Sequence, residues 1–253
     1  FMFANGFPAM AEIGFGKFLL GTEWRPGQEL FGIFPMIIGS IYVTAGAIIF
    51  GVPVGILCAV FLAHYCPKGL YTILKPAVDL LAGIPSIVYG FFGLVVIVPA
   101  MQAVFRTSGK AILTASLLLG IMILPTFISV TEASLRAVPE AYFEGSLALG
   151  ATKERTIFRS VMVAAKSGVM SGVILGVGRA IGETMAVIMV AGNQAAIPDS
   201  VLKGVRTLTA NIVLEMGYAS GLHREALIAT AVVLFVFILI INVCFSLVKR
   251  RNG

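Results

Sequence analysis

GVMSGVILGVGRAIGETMAVIMVAGN, residues 168–193, is the stretch on which the fold turns. At about 1.5 Å per residue in a helix, it outreaches the roughly 30 Å hydrocarbon core of a bilayer. Yet Arg179 and Glu183 stand near its middle. In a continuous helix they sit one turn apart on one face. A charge at mid-bilayer costs about 2.5–3.5 kcal/mol on insertion scales, which argues against a lipid-facing position for either. Gly168, Gly172 and Gly176 repeat every four residues and, with Gly182, offer a strip without side chains against which a second helix can lie. Two readings of the charged pair stand side by side. It is an internal ion pair in a tightly packed span, or, with Thr184 beside it, the lining of a path for an anion.

Composition sets the class. The chain is 58% hydrophobic and 12% charged with a mean hydropathy of +1.01, values of a polytopic membrane protein rather than a soluble core. The net charge of +6 is spread between apolar runs, with no basic stripe interleaved with aromatics, so it speaks for membrane orientation and against nucleic acid. Cys58, Cys66 and Cys244 are scattered, which argues against a disulfide framework or a metal site.

Outward from the central stretch, the spans follow from apolar length. Residues 32–62 carry no charge and form the first, bent at Pro53. Residues 80–100 form the second, reached through Pro76 and Asp79, with Asp79 read as an interfacial or helix-starting carboxylate and a buried partner left open. Its AGIPSIVYGFFG core predicts a break at Pro85, where Ser86 and Tyr89 either line a cavity or satisfy the freed backbone. Residues 111–130, 167–191 and 226–248 complete the set. Residues 1–30 are too charged to span and read as an external or interfacial arm, with Trp24 anchored at headgroup level. His64, Lys68 and Lys75 fall in a polar connection, and residues 207–216 read as a short helix dipping toward the path.

Residues 131–166 are too polar to span. Pro139, Glu140 and Glu144 predict a helix start, Gly150 its end, and Thr152 with Glu154 the start of another. Tyr142, Phe143, Leu147 and Leu149 on so short an element call for a groove in a partner. The fold class expected is therefore all-α polytopic, with five transmembrane helices and a cytoplasmic coupling helix in a permease portion spanning 31–253. With Lys249, Arg250 and Arg251 in the cytoplasm, ten Lys and Arg fall inside and seven outside, in the sense of the positive-inside rule. Five spans then begin outside, which leads to the expectation of a sixth, N-terminal span beyond these residues.

The stretches AGIPSIVYGFFG, EGSLALGATKERT and GRAIGETMAVIMVAGN together resemble the permease subunits of ATP-binding-cassette (ABC) importers, and in particular the PstC/PstA family of phosphate permeases. Glu144 and Gly150 keep the spacing of the family's coupling loop, although Gly145 and Ser146 replace its alanines. The resemblance implies coupling to an ATPase through Glu140, Glu144, Leu147 and Gly150, and a phosphate pathway lined by Arg179, Glu183, Thr184, Ser86 and Tyr89. It implies no cofactor on this chain, with ATP and Mg on the partner. The implied partners are a PstA-like second permease, a PstB-like ATP-binding dimer and a PstS-like extracytoplasmic phosphate-binding protein, working in membrane lipid on inorganic phosphate. No G-x-x-x-x-G-K-[ST] occurs, in line with a transport subunit that does not itself hydrolyse ATP. The rivals at this point are a permease for another oxyanion or small solute, an ion-coupled secondary transporter using Arg179, Glu183 and Asp79, a membrane-embedded enzyme, and a regulatory or assembly subunit.

Overall fold

The computed structural model describes the backbone of Met2–Asn252. The side chains of Phe1, Phe245 and residues 248–253, including the basic terminus at Lys249, Arg250 and Arg251, lie outside the description. The fold is helical throughout, apart from a hairpin of two short strands. Among the described residues, four helices are long and apolar enough to cross a membrane: Phe34–Tyr65, Ser86–Phe105, Ile112–Arg136 and Gly221–Cys244. Lys153–Ala164 and Lys166–Gly182, bent by 73° at their junction, make a fifth crossing if the pair is one broken span rather than a re-entrant loop. The chain is thus an all-α multi-pass membrane protein.

In order, the elements are α1 (Met2–Ile13), α2 (Phe15–Leu20), strands β1 (Trp24–Arg25) and β2 (Leu30–Phe31), α3 (Phe34–Val60) and α4 (Lys68–Ala82). Then come α5 (Ser86–Phe92), α6 (Val98–Phe105), α7 (Ile112–Arg136), α8 (Glu140–Ala148), α9 (Lys153–Thr156) and α10 (Met162–Ala164). The last four are α11 (Lys166–Gly182), α12 (Met185–Val190), α13 (Leu208–Glu215) and α14 (Gly221–Asn252). Widened π turns at Phe61–Tyr65, Gly93–Ile97 and Ile157–Val161 join α3 to its end, α5 to α6 and α9 to α10.

Two boundaries differ from the sequence reading for physical reasons. The second span starts at Ser86 rather than residue 80, because α4 is a separate helix that stops before Pro85, which cannot continue a helical ladder. Residues 167–191 are not one span, since α11 ends at Gly182 and α12 begins at Met185.

Contacts divide the chain into two compact units. The first comprises Phe1–Ala47, Pro85–Leu119 and Ala180–Ile241. Its core gathers Phe18, Trp24, Phe31, Ile33, Met36, Leu208 and Leu227. Residues 1–30, expected as an arm, therefore supply core side chains. Trp24 is 7% exposed. It pairs with Phe31 across the hairpin, and its indole Nε1 donates to Glu215 at 2.7 Å. A buried indole N–H needs such an acceptor, and a carboxylate 191 residues away provides it.

The second unit comprises Ile48–Ile84, Gly120–Arg179 and Asn242–Gly253, with a core of Ala59, Leu62, Ile128, Leu135, Ile157 and Val161. Here α4 turns a polar stripe inward. Tyr71, Lys75 and Asp79, at four-residue spacing, meet Ser129, Glu132 and Arg136 of α7, while Leu70, Ile73, Leu80 and Leu81 stay exposed. Asp79 is thus tied to Ser129 and Lys75, with its side chain 52% exposed.

Candidate functional site

The strip of small residues on α11 does what its spacing allows. A Cβ at Gly168 would collide with the side chain of Ser134, and one at Gly172 would come within 3.1 Å of Phe127 and 3.2 Å of the Thr131 hydroxyl. One at Gly176 would meet Ile123 at an ordinary 3.7 Å. All four neighbours lie on α7, so α11 packs closely against it at one end and more loosely toward Arg179. Gly182 is a correction to the expected strip, because a Cβ there meets nothing within 4 Å.

Arg179 lies in the last turn of α11 and donates from Nη1 to the Thr126 hydroxyl of α7 at 3.3 Å. Among the described residues it is in no ion pair. Glu183 has a backbone task of its own. Its Oε1 accepts the backbone N–H groups of Thr184 at 3.1 Å and Ala186 at 3.2 Å, closing the start of α12. The Glu183 carbonyl accepts from the Thr209 hydroxyl of α13 at 3.0 Å, and the Thr184 hydroxyl donates to the Gly182 carbonyl at 3.2 Å. A chain break at membrane depth leaves backbone groups unpaired, and these side chains satisfy them.

Around the break, α12 packs on α5 through Gly90, where a Cβ would sit 2.9 Å from the Ala186 backbone. Tyr89, next to it, is buried, while Ser86 begins α5 half-buried after Pro85. The short helix expected at 207–216 is α13, capped by Thr207 accepting from Ala210 N. Arg206, just before it, donates to the carboxylate of Glu215 at 2.5 Å and to Asn211 at 3.0 Å.

In the second unit, α8 forms the expected short helix. Gly150 ends it in the left-handed region at φ +85°, where a side chain would be strained, and its N–H returns to the Leu147 carbonyl at 2.9 Å. Ser146 bonds Thr156 at 2.9 Å and Ser160 donates to the Tyr142 carbonyl at 3.2 Å, bracing α8 on the helix that follows. Glu140, Glu144, Leu147 and Tyr142 are exposed, and Leu149 is 91% exposed. Phe143 turns the other way and packs into the core.

Sequence reasoning missed two charge clusters. Buried Glu132 pairs with Arg136 and with Lys75 at 3.7 Å, and accepts the Tyr71 hydroxyl at 3.0 Å. The four-residue spacings of Lys75–Asp79 and Glu132–Arg136 were the available signal. Burial raises Asp79, but the Ser129 hydrogen bond and Lys75 outweigh it and hold the carboxyl below its ordinary value. Burial first, and then the hydrogen bond to Glu132, push the Tyr71 hydroxyl up. The second cluster centres on Glu215, which takes Arg206, Trp24 and, at 2.9 Å, His223.

Comparison with known proteins places this architecture. A family described as the binding-protein-dependent transport system inner membrane component matches residues 51–252. The chain is 38% identical to the probable ABC transporter permease protein YqgH of Bacillus subtilis, over 89% of this chain and 76% of that protein. It is 36% identical to the phosphate transport system permease protein PstC of Mesorhizobium japonicum, over 95% of this chain and 80% of that one. An inward-facing structure of the MetNI methionine ABC transporter shares the fold, with a TM-score of 0.66 at 20% identity over 91% of this chain and all of that one. So does a bacterial ABC transporter that imports alginate, with a TM-score of 0.65 at 15% identity over 97% of this chain and 89% of that one. The chain belongs to the family of inner membrane components of binding-protein-dependent transport systems.

Proposed function

We propose that this chain is the subunit through which an ABC importer passes inorganic phosphate across the inner membrane. The observation that carries the substrate is the likeness to proteins named PstC, at 36% identity over 95% of this chain in one bacterium and 31% over 96% in Methanocaldococcus jannaschii. Arg179 is the chemistry in support. Its guanidinium carries a positive charge and offers a planar fork of donors to a tetrahedral oxyanion. Among the described residues its side-chain partner is the neutral Thr126 hydroxyl, so the charge is left for a passing anion.

Transport is driven from outside the chain. An ATP-binding dimer, carrying ATP and Mg, takes the exposed face of α8 at Glu140, Glu144, Leu147 and Leu149. Its closure moves the braced α8 unit as a lever and exchanges access between the two faces. A second permease subunit completes the path, and an extracytoplasmic binding protein delivers phosphate and supplies most of the selectivity. Ser86, Tyr89, Glu183 and Thr184 shape the broken helices beside the path, with Glu183 and Thr184 securing backbone.

The test is phosphate uptake by the reconstituted complex carrying Arg179→Ala, after assembly with the partner subunits has been verified. Uptake should fall at least about tenfold, the worth of one lost charge-assisted contact. Wild-type uptake in that variant removes Arg179 from the pathway.

A further inference from the structure

Beneath α8 lies a cavity of about 550 Å³ that translocation does not use. Its basic residues come from three elements: His64 from the end of α3, Arg136 from the end of α7 and Lys153 from the start of α9. Glu140 is the one acid on its wall, and Glu132 behind it pairs with Arg136, which leaves Lys153 as the cation without a carboxylate among the described residues. Ala63, Leu135, Val138, Pro139, Phe143 and Val161 provide the rest of the lining.

The His64 ring is held in place but left unsatisfied. It stacks on Phe143 of α8, with centroids 6.1 Å apart and planes 6° from parallel. Its Nε2 is buried and has no hydrogen-bond partner among the described residues. A buried polar atom in that state is costly unless something outside the chain completes it. The neighbouring cations are already oriented. Lys153 Nζ donates to the His64 carbonyl at 3.2 Å and lies 4.5 Å over the Tyr65 ring. Arg136 is fixed by Nη2 to the Leu62 carbonyl at 2.8 Å, by Nε to Glu132, and by stacking 4.4 Å over Tyr71.

We propose that this cavity is a second anion site, binding a phosphoryl group between His64, Arg136 and Lys153 at the root of the coupling helix. A phosphoryl group has several acceptor oxygens in a tetrahedral array, so it can take donors converging from three elements, and His64 Nε2 gains the partner it lacks. The group comes either from free inorganic phosphate or from the headgroup of an anionic phospholipid. Because Phe143 stacks on the ring that closes the site, occupancy stiffens the seat of α8. The site does not depend on Arg179 and stands or falls apart from the pathway.

The chain has only two histidines, and His223 is hydrogen-bonded to Glu215 in the other compact unit. The His64 imidazole is therefore a local reporter. In the assembled complex carrying Arg179→Ala, to empty the pathway, the His64 resonance is identified as the signal lost in His64→Gln. Inorganic phosphate is titrated against chloride at equal ionic strength in neutral-lipid nanodiscs, and phosphate-free samples are compared in neutral and phosphatidylglycerol nanodiscs. A saturable shift of His64 alone with phosphate supports the free-anion source, and a shift in phosphatidylglycerol without phosphate supports the headgroup. In either case Lys153→Met should weaken the response about tenfold. A His64 signal that ignores both probes, follows chloride equally, or responds unchanged in Lys153→Met overturns the site. A partner carboxylate filling the cavity would appear as the first of these.

Discussion

The hydroxyl of Thr126 receives a hydrogen bond from Arg179 Nη1 at 3.3 Å, and it is the one side-chain partner of that guanidinium among the described residues. A neutral hydroxyl can orient a charge without cancelling it, whereas a carboxylate at the same place would do both. Thr126→Val keeps the shape and removes the acceptor. It should leave assembly intact and lower phosphate uptake about two- to tenfold, mainly through KM, as the guanidinium loses its orientation. Uptake kinetics in proteoliposomes give the split. Arg179→Lys, which keeps the charge and loses the fork, should be the more damaging of the two.

Glu183 is predicted to matter through its oxygen rather than its charge. Glu183→Gln retains an acceptor for the N–H groups of Thr184 and Ala186, while Glu183→Ala leaves both unmatched. The alanine variant should lose about 0.5–2 kcal/mol, as for a missing helix cap, and the glutamine variant much less. Thermal unfolding of the detergent-solubilised complex measures the difference. Equal losses would mean that the negative charge itself is needed.

The glycines of α11 should rank by distance to α7. Gly168→Ala drives a methyl into Ser134, Gly172→Ala presses on Phe127 and Thr131, and Gly176→Ala and Gly182→Ala find room. The first two should cost about 1–3 kcal/mol by overpacking, and the last two almost nothing. A thermal-shift series over the four variants checks the order. Tolerance of Gly182→Ala would also mean that the break before α12 is set by Glu183 and Thr209 rather than by glycine.

The α4–α7 cluster predicts both a mutational and an acid sensitivity. Glu132→Ala takes the carboxylate from Arg136 and the acceptor from Tyr71 and should cost about 1–3 kcal/mol, held down because Arg136 is 45% exposed and Lys75 keeps Asp79. Asp79 titrates below its ordinary value in the folded chain, so its contribution is present above the unfolded pKa of 3.8 and fades as pH falls through the lower folded value. The contribution is small because the side chain is 52% exposed. Urea unfolding of wild type and Asp79→Asn should differ at neutral pH and converge as the pH falls through the folded-state value, which lies below 3.8.

The apolar runs were legible in the sequence because lipid imposes one rule on every span, and so was the handle, where Gly150 and Thr152 act within a few residues of themselves. Partnerships between distant residues were hidden. Lys75 and Asp79 look like loop residues until Ser129 and Glu132 supply partners, and Trp24 looks like an interfacial anchor until Glu215 accepts its N–H. The break at Glu183 was masked because an apolar sequence fits one helix or two equally well. Only the side-chain acceptor and the hydroxyl of Thr209 decide between them.

Trp24 is the sole tryptophan of the chain, and its indole donates to Glu215, the carboxylate that also takes Arg206 and His223. Nature has thus fitted this subunit with a single optical gauge, wired to the carboxylate where the first strand, α13 and the start of α14 converge. Any event that loosens that junction would register as a change of ultraviolet emission colour, without a dye or a label.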